Sequence, residues 1–351
     1  MSSPTSRKAS IPHTVRTAAE PRQNRLFTVR LSHIEQVNPT VRLLQLTIPL
    51  NVQDPALQDE GDSGESTAGQ PQPLTFFPGQ WLDVHIPSVP NAGGFSITST
   101  PADAQVLPSL EPLEELVPAD EVPALPLNPQ GREPYIELAV QNAPSNPACA
   151  WLWRPVEEIL GKELCVRVGG GFVWPPPGVK LEGIRNAVFV AGGVGMNPLI
   201  SMLSHLHNND ETTGLYHPSL SIHILYSSKL PDAATPESAL KQVLFLPRLR
   251  EIIRSQSQFH RLDITLDLFL SNLDSQSSPL LDQPPNDLTI HLRRINQDDL
   301  RKAVFGTNVQ TTPSETVCYV CGPPQMTDVV VDTLSKQLDG QTDRIFFEKW
   351  W

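Results

Sequence analysis

The sequence predicts two domains: an antiparallel β-barrel followed by a doubly wound parallel α/β domain. Three observations predict it. Between residues 26 and 180, short runs alternate apolar with polar residues and are separated by Gly/Pro turns, the pattern of a small barrel or sandwich. Between residues 185 and 351, apolar runs alternate with helix-length amphipathic segments, as in a parallel sheet with crossover helices. Two of those runs, Val188–Gly192 and Val317–Gly322, end in glycine turns at which backbone approaches something closely. A chain of 351 residues is long enough for two cores.

The first 30 residues hold Arg7, Lys8, Arg16, Arg22, Arg25 and Arg30 against one acid, Glu20, with frequent serine and threonine. Residues 1–25 read equally as a disordered tail or a mitochondrial targeting segment, although Pro4, Pro12 and Pro21 interrupt a continuous amphipathic helix. Leu26–Leu31 and Val41–Ile48 are strand-like and flank an Asn38-Pro39 turn, which predicts an antiparallel pair. Residues 52–73 carry five acids and no base, a solvated insertion with little apolar surface to bury. Gln80–Ile86, Gly94–Thr98, Tyr135–Val140 and Glu163–Val168 read as further half-buried strands. A second proline-rich insertion at 102–134, with seven acids against Arg132, interrupts them. These insertions hold nearly all of the net charge of −12. The remainder has no basic surface for nucleic acid, and no apolar run is long enough to span a membrane.

After Pro175–Gly178 the rhythm changes. Val188–Ala191 is a strand and Pro198–His205 starts a helix with Leu199, Met202, Leu203 and Leu206 on one face. Ser221–Tyr226 is the next strand, and Glu237–Ser255 is helical with an interruption at Pro247. Leu262–Leu270, Val317–Cys321 and Arg344–Trp350 are strands; Gln297–Val304 and Gln325–Leu338 are helices. Four cysteines, at 149, 165, 318 and 321, without a secretory signal point to a reducing compartment, mitochondrion or cytoplasm. Cys318 and Cys321 form a C-x-x-C, but strand alternation tends to place them on opposite faces and no second pair exists, so no metal site is expected.

Gly192-Gly193-Val194-Gly195 turns tightly and bares backbone N–H groups, and Pro198 suits the opening of the next helix. Bare backbone at a helix start is a pyrophosphate site. Cys321-Gly322-Pro323 forms a second turn at the same sheet edge, where a thiol can lie beside a planar ring. A β-barrel followed by A-G-G-x-G-M-N-P, C-G-P-x-x-M and a terminal F-E-x-W resembles the ferredoxin-reductase superfamily of flavin-dependent NAD(P)H oxidoreductases. Within it the chain is similar to the oxidoreductase NAD-binding domain-containing proteins, which tend to carry G-G-F-S-I and to end in F-E-K-W-W.

The resemblance implies FAD in the barrel and NAD or NADP on the α/β domain, with hydride passing from nicotinamide to flavin and electrons leaving to a protein or small-molecule acceptor. It implies Ser96, Cys321 and Glu348 as the catalytic residues. Gly93, Gly94, Phe95, Ser96 and Ile97 are the implied flavin contacts. Gly192, Gly193, Val194, Gly195, Met196, Asn197 and Pro198, with Cys321, Gly322, Pro323 and Met326, are the implied nicotinamide contacts. Ser227 and Ser228 follow the strand at which an adenosine ribose would lie, and Trp350 is the ring expected over the flavin. Gly93 stands where the superfamily carries a phosphate-binding arginine. A second reading therefore stays open, a flavin-less NAD(P)H-binding sensor or scaffold.

Overall fold

The computed structural model describes residues 12–49, 73–105, 133–208, 220–233, 235–259, 262–273, 285, 287–306 and 312–350. Most of both acidic insertions, the first 11 residues and Trp351 lie outside the described residues. The chain opens with a one-turn helix α1 (His13–Arg16) and an extended segment to Gln23. Residues 12–25 thus depart from the reading of 1–25 as a disordered tail, for reasons that lie in β3.

Six strands follow: β1 (Phe27–Asn38), β2 (Val41–Thr47), β3 (Trp81–His85), β4 (Gly93–Ser96), β5 (Tyr135–Gln141) and β6 (Glu163–Gly169). They form an antiparallel sheet in the order β4-β3-β6-β1-β2-β5. An antiparallel bridge between Ile97 and Leu138 joins its two edges and closes the barrel. Alternation does the sorting: Val29, Leu31, Leu44, Leu46, Leu82, Val84, Leu138 and Val166 point inward and pack together. Helix α2 (Pro147–Leu152) and the short α3 (Val156–Ile159) follow β5.

The outer face of β3 is buried too. Trp81 is 2% exposed and Asp83 fully buried, because residues 12–23 lie across them as a strap. Gln23 N–H donates to Val168 O at 2.9 Å, and Gly170 N–H to Pro21 O at 2.9 Å. The Trp81 indole rests on the glycines of β6: a Cβ on Gly170 would lie 2.6 Å from its Nε1. Gly169-Gly170-Gly171 is thereby a packing surface for Trp81 and the strap.

The second sheet is parallel throughout, in the order β10-β9-β8-β7-β11-β12. In chain order its elements are β7 (Asn186–Gly192), α4 (Met196–Asn208), β8 (Leu220–Ser228), α5 (Pro236–Lys241), α6 (Leu246–Phe259), β9 (Leu262–Leu270), β10 (Thr289–His291), α7 (Gln297–Phe305), β11 (Thr316–Gly322), α8 (Pro324–Gln337) and β12 (Ile345–Lys349). The interruption expected at Pro247 falls instead at 242–245, between α5 and α6; Pro247 sits in the first turn of α6, where no amide is needed. On β11, Val317, Tyr319 and Cys321 pack with α4 and α6, whereas Cys318 and Val320 pack with α7 and α8. Cys318 and Cys321 therefore lie on opposite faces, and all four cysteines are free.

The domains are locked together. Arg248 on α6 donates to both oxygens of Glu137 on β5 at 2.9 and 3.0 Å. Ser201 donates to Ser99 O at 2.6 Å, and Tyr319 OH donates to Val173 O at 2.8 Å. No helix among the described residues is long and apolar enough to cross a membrane.

Candidate functional site

The strand order reverses between β7 and β11, where the two glycine turns meet. This is the switch point at which an open α/β sheet leaves a crevice. The turns touch as bare backbone. A Cβ on Gly195 would lie 2.5 Å from the Cys321 carbonyl carbon and 2.9 Å from Gly322 N, and one on Gly192 would lie 2.6 Å from Met326 Sδ and 2.8 Å from Pro323 Cδ. Gly193 takes a left-handed φ of 55°, which glycine adopts without steric penalty. Met326 and Pro323 fill the gap between the turns. Met196 and Pro198 are buried in the first turn of α4. Ile97 is fully buried in the barrel core. These five expected contacts thus support the site from behind.

A cavity of about 580 Å³ lies between barrel and sheet. Phe95, Ser96, Asn146 and Cys149 line it on the barrel side; Val194, Asn197, Cys321, Glu348 and Trp350 line it on the sheet side. The structure thus gathers Ser96, Cys321 and Glu348, the three expected catalytic residues, around one cavity. Ser227 sits beside Gly192 in the register of β8 and β7. Ser228 follows it, its hydroxyl donating to Lys229 O at 3.1 Å. Neither serine lines the cavity; both stand at the carboxyl edge of the sheet.

Trp350 is tied to both turns. Its indole Nε1–H donates to Gly192 O at 3.1 Å and its backbone N–H to Gly322 O at 3.3 Å. The ring covers the glycine turn, since a Cβ on Gly193 would sit 3.7 Å from Trp350 Cζ2. Cys321 is 3% exposed, and burial, with Glu348 nearby, pushes its thiol well above the usual range. It is a neutral thiol, with no thiolate for nucleophilic work. Glu348 stands opposite Cys321 in the register of β11 and β12, and its Oε2 is buried without a hydrogen-bond partner. Loss of water, reinforced by Glu20 and opposed by Arg16, pushes its carboxyl up to about 8.

A carboxyl that prefers its proton in the folded state loses stability as pH rises from its unfolded value, near 4.3, to about 8. Glu348→Gln removes that loss. The variant is expected to gain melting temperature relative to the parent across this window, with no further gain above it. A constant difference in melting temperature from pH 5 to pH 9 would contradict this account.

The residues that line the cavity suit a flavin at one end alone. At the ring end they fit: Asn197 Oδ1, like Glu348 Oε2, is buried without a partner, while its Nδ2 donates to Ala139 O at 2.9 Å. Two stranded polar atoms on a cavity flanked by Phe95 and Ser96 suit a flat ring with polar edges. At the phosphate end the superfamily's contact is missing. A Cβ on Gly93 would lie 2.6 Å from Ala148 Cβ, so no arginine can stand there. The first amides of α2 already donate to Asn146 Oδ1, Ala148 at 3.1 Å and Cys149 at 3.2 Å. Among the described residues, no cluster of three or more His, Cys, Asp or Glu side chains could hold a metal ion.

The cavity has a third wall, which the sequence reading missed. His13, Arg16, Thr17 and Glu20 of the strap line it. One sequence signal pointed there. Asp83 lies in the apolar run Trp81-Leu82-Asp83-Val84, and a buried acid calls for a cation from elsewhere in the chain.

No protein-family model matches the chain. A protein of Danio rerio named oxidoreductase NAD-binding domain-containing protein 1 is 30% identical over 343 residues, 97% of this chain and 97% of that one. Among solved structures, the cytochrome b5 reductase domain of Ulva prolifera nitrate reductase gives a TM-score of 0.56 at 14% identity, over 92% of this chain and 97% of its own. A ferredoxin NADP+ reductase from Neisseria gonorrhoeae with bound FAD and NADP gives 0.54 at 11% identity, over 94% of this chain and all of its own. At these identities the likeness to the two structures is one of fold.

Proposed function

The chain belongs to the family of oxidoreductase NAD-binding domain-containing protein 1, and we propose that it is a flavin-dependent NAD(P)H oxidoreductase that hands electrons to a separate acceptor. The observation that carries the proposal is the single cavity gathering Ser96, Asn197, Cys321, Glu348 and Trp350. It opens at the switch point of a nucleotide-type sheet.

FAD, when bound, supplies the chemistry of accepting two electrons and a proton from a reduced nicotinamide. The protein's own work is to orient and enclose. The Gly192–Gly195 turn offers bare backbone to the nicotinamide nucleotide. Trp350 covers that turn and leaves it when the nucleotide docks, giving up its hydrogen bond to Gly192 O. Cys321 presents a small neutral group that crowds neither ring. Ser96 offers a hydroxyl that both donates and accepts. Glu348 holds or releases a proton at the edge of the cavity. Ser227, Ser228 and Lys229 offer hydroxyls and a cation to the adenosine end. No acid stands among them to take a ribose diol, so NADPH is accommodated alongside NADH.

The test is oxidation of NADH or NADPH by flavin-loaded protein with ferricyanide as acceptor. Trp350→Ala is expected to lower KM for the nucleotide, since the turn is then open. No oxidation of either nucleotide by flavin-loaded protein would reject the proposal. The closed seat at Gly93 favours a second reading, a flavin-less NAD(P)H-binding sensor or scaffold. Nucleotide binding by protein that takes up no flavin would establish it.

A further inference from the structure

We infer that residues 12–23 are a built wall of the candidate site, and that Arg16 and Glu20 on this strap are positioning residues that set the charge of Glu348. The strap is fastened deliberately. Asp83, fully buried, accepts from Arg167 at 2.8 and 3.1 Å and from Arg22 at 3.0 Å, and His13 Nε2 lies 3.4 Å from its other oxygen. The Arg22 guanidinium also lies 4.8 Å from the centroid of Trp81 and donates to the Thr17 side chain. The His13 ring packs edge-on to Trp81 at 4.6 Å and occupies the space a side chain at Gly94 would need. Gly94, expected as a flavin contact, is thus the seat of the strap.

This fastening directs the charges of the strap at the cavity. Glu20 Oε2 accepts from Gly171 N–H at 3.3 Å, which fixes that carboxylate beside the barrel wall. Arg16 lines the same cavity. Glu348 lines it too, with one oxygen stranded. The other titratable and charged groups around it are His13 on the strap, Cys321 on β11, Cys149 on α2 and its neighbour Lys349. Lys349 is engaged with Asp328 at 2.6 Å, and both thiols are pushed upward by burial. Arg16 and Glu20 are the charges of the strap that share this cavity with Glu348. One draws its proton off and the other holds it on.

The consequence for turnover rests on the proposed function, but the test does not. The protonated-carboxyl infrared band of the cofactor-free protein is followed against pH and assigned to Glu348 by its loss in Glu348→Gln. The expected midpoint is about 8. It should rise by about half a pH unit or more in Arg16→Gln and fall by a similar amount in Glu20→Gln. Arg16→Lys, which keeps the charge, should restore the parent value. Circular dichroism identifies any variant that is unfolded, and the remaining pair still decides. A midpoint unmoved by both charge removals, or no band lost in Glu348→Gln, would overturn the inference. Protein that passes this test yet oxidises no nucleotide would refute the proposed function alone.

Discussion

Gly195→Ala is expected to cut nicotinamide-dependent flavin reduction by about 100-fold, because displacement by an ångström is enough for a loss of that size. The added methyl has nowhere to go. It would meet the carbonyl carbon of Cys321 at 2.5 Å and the amide of Gly322 at 2.9 Å. Both are backbone in a fully paired strand, so β7 and β11 must part at the point where the two turns meet. Overpacking of this kind costs about 1–3 kcal/mol of stability, read as a lower denaturation midpoint. Gly193→Ala is the control. Its φ of 55° strains an alanine, but the nearest atom, on Trp350, is 3.7 Å away. The stability loss should be about 1–2 kcal/mol, and local. Equal effects of the two substitutions on flavin reduction would show that contact between the turns is not what shapes the site.

The second large effect is expected at Asp83. Asp83→Ala leaves Arg22 and Arg167 facing one another without their shared partner, and should cost about 3–5 kcal/mol. It should also free the strap, so that trypsin cuts after Arg16 and Arg22 at rates the parent protein resists. The pH dependence has a definite sign. Burial alone would raise the Asp83 carboxyl, but the His13 ring 3.4 Å away and hydrogen bonds from Arg167 and Arg22 outweigh it and hold the group well below the usual carboxylate range. A depressed carboxylate contributes its full stability above its unfolded value, about 3.9, and loses it as pH falls below that. Parent and variant should therefore differ most at neutral pH and converge below pH 4. A small loss at pH 7 with trypsin resistance intact would mean that the strap is held by its backbone contacts to Val168 and Gly170.

Legibility in the sequence followed the length over which a signal repeats. The alternation of Val29, Leu31, Leu44 and Leu46 and the runs Val188–Ala191 and Val317–Cys321 are periodic, and both sheets are built from them. The glycine turns were legible because β7 and β11 end in them, although Met326 and Pro323 proved to be packing partners of Gly192. The same turn chemistry says nothing of Gly169, Gly170 and Gly94, whose bareness answers to Trp81 and His13, far away in sequence. The strap was illegible for a related reason. Its arginines carry no periodicity, and composition alone made them a disordered tail or a targeting segment; only pairing with Asp83, 61 residues on from Arg22, gives them a place. The three-residue β10 and one-turn α1 are too short for any pattern to register.

The most direct test of the central claim, one cavity holding flavin and nicotinamide face to face, is spectral. Purified protein incubated with FAD and desalted should retain flavin absorbance near 450 nm, and anaerobic NADH or NADPH should bleach it. Protein that retains no flavin, or flavin that stays oxidised under excess of both nucleotides, would contradict the account.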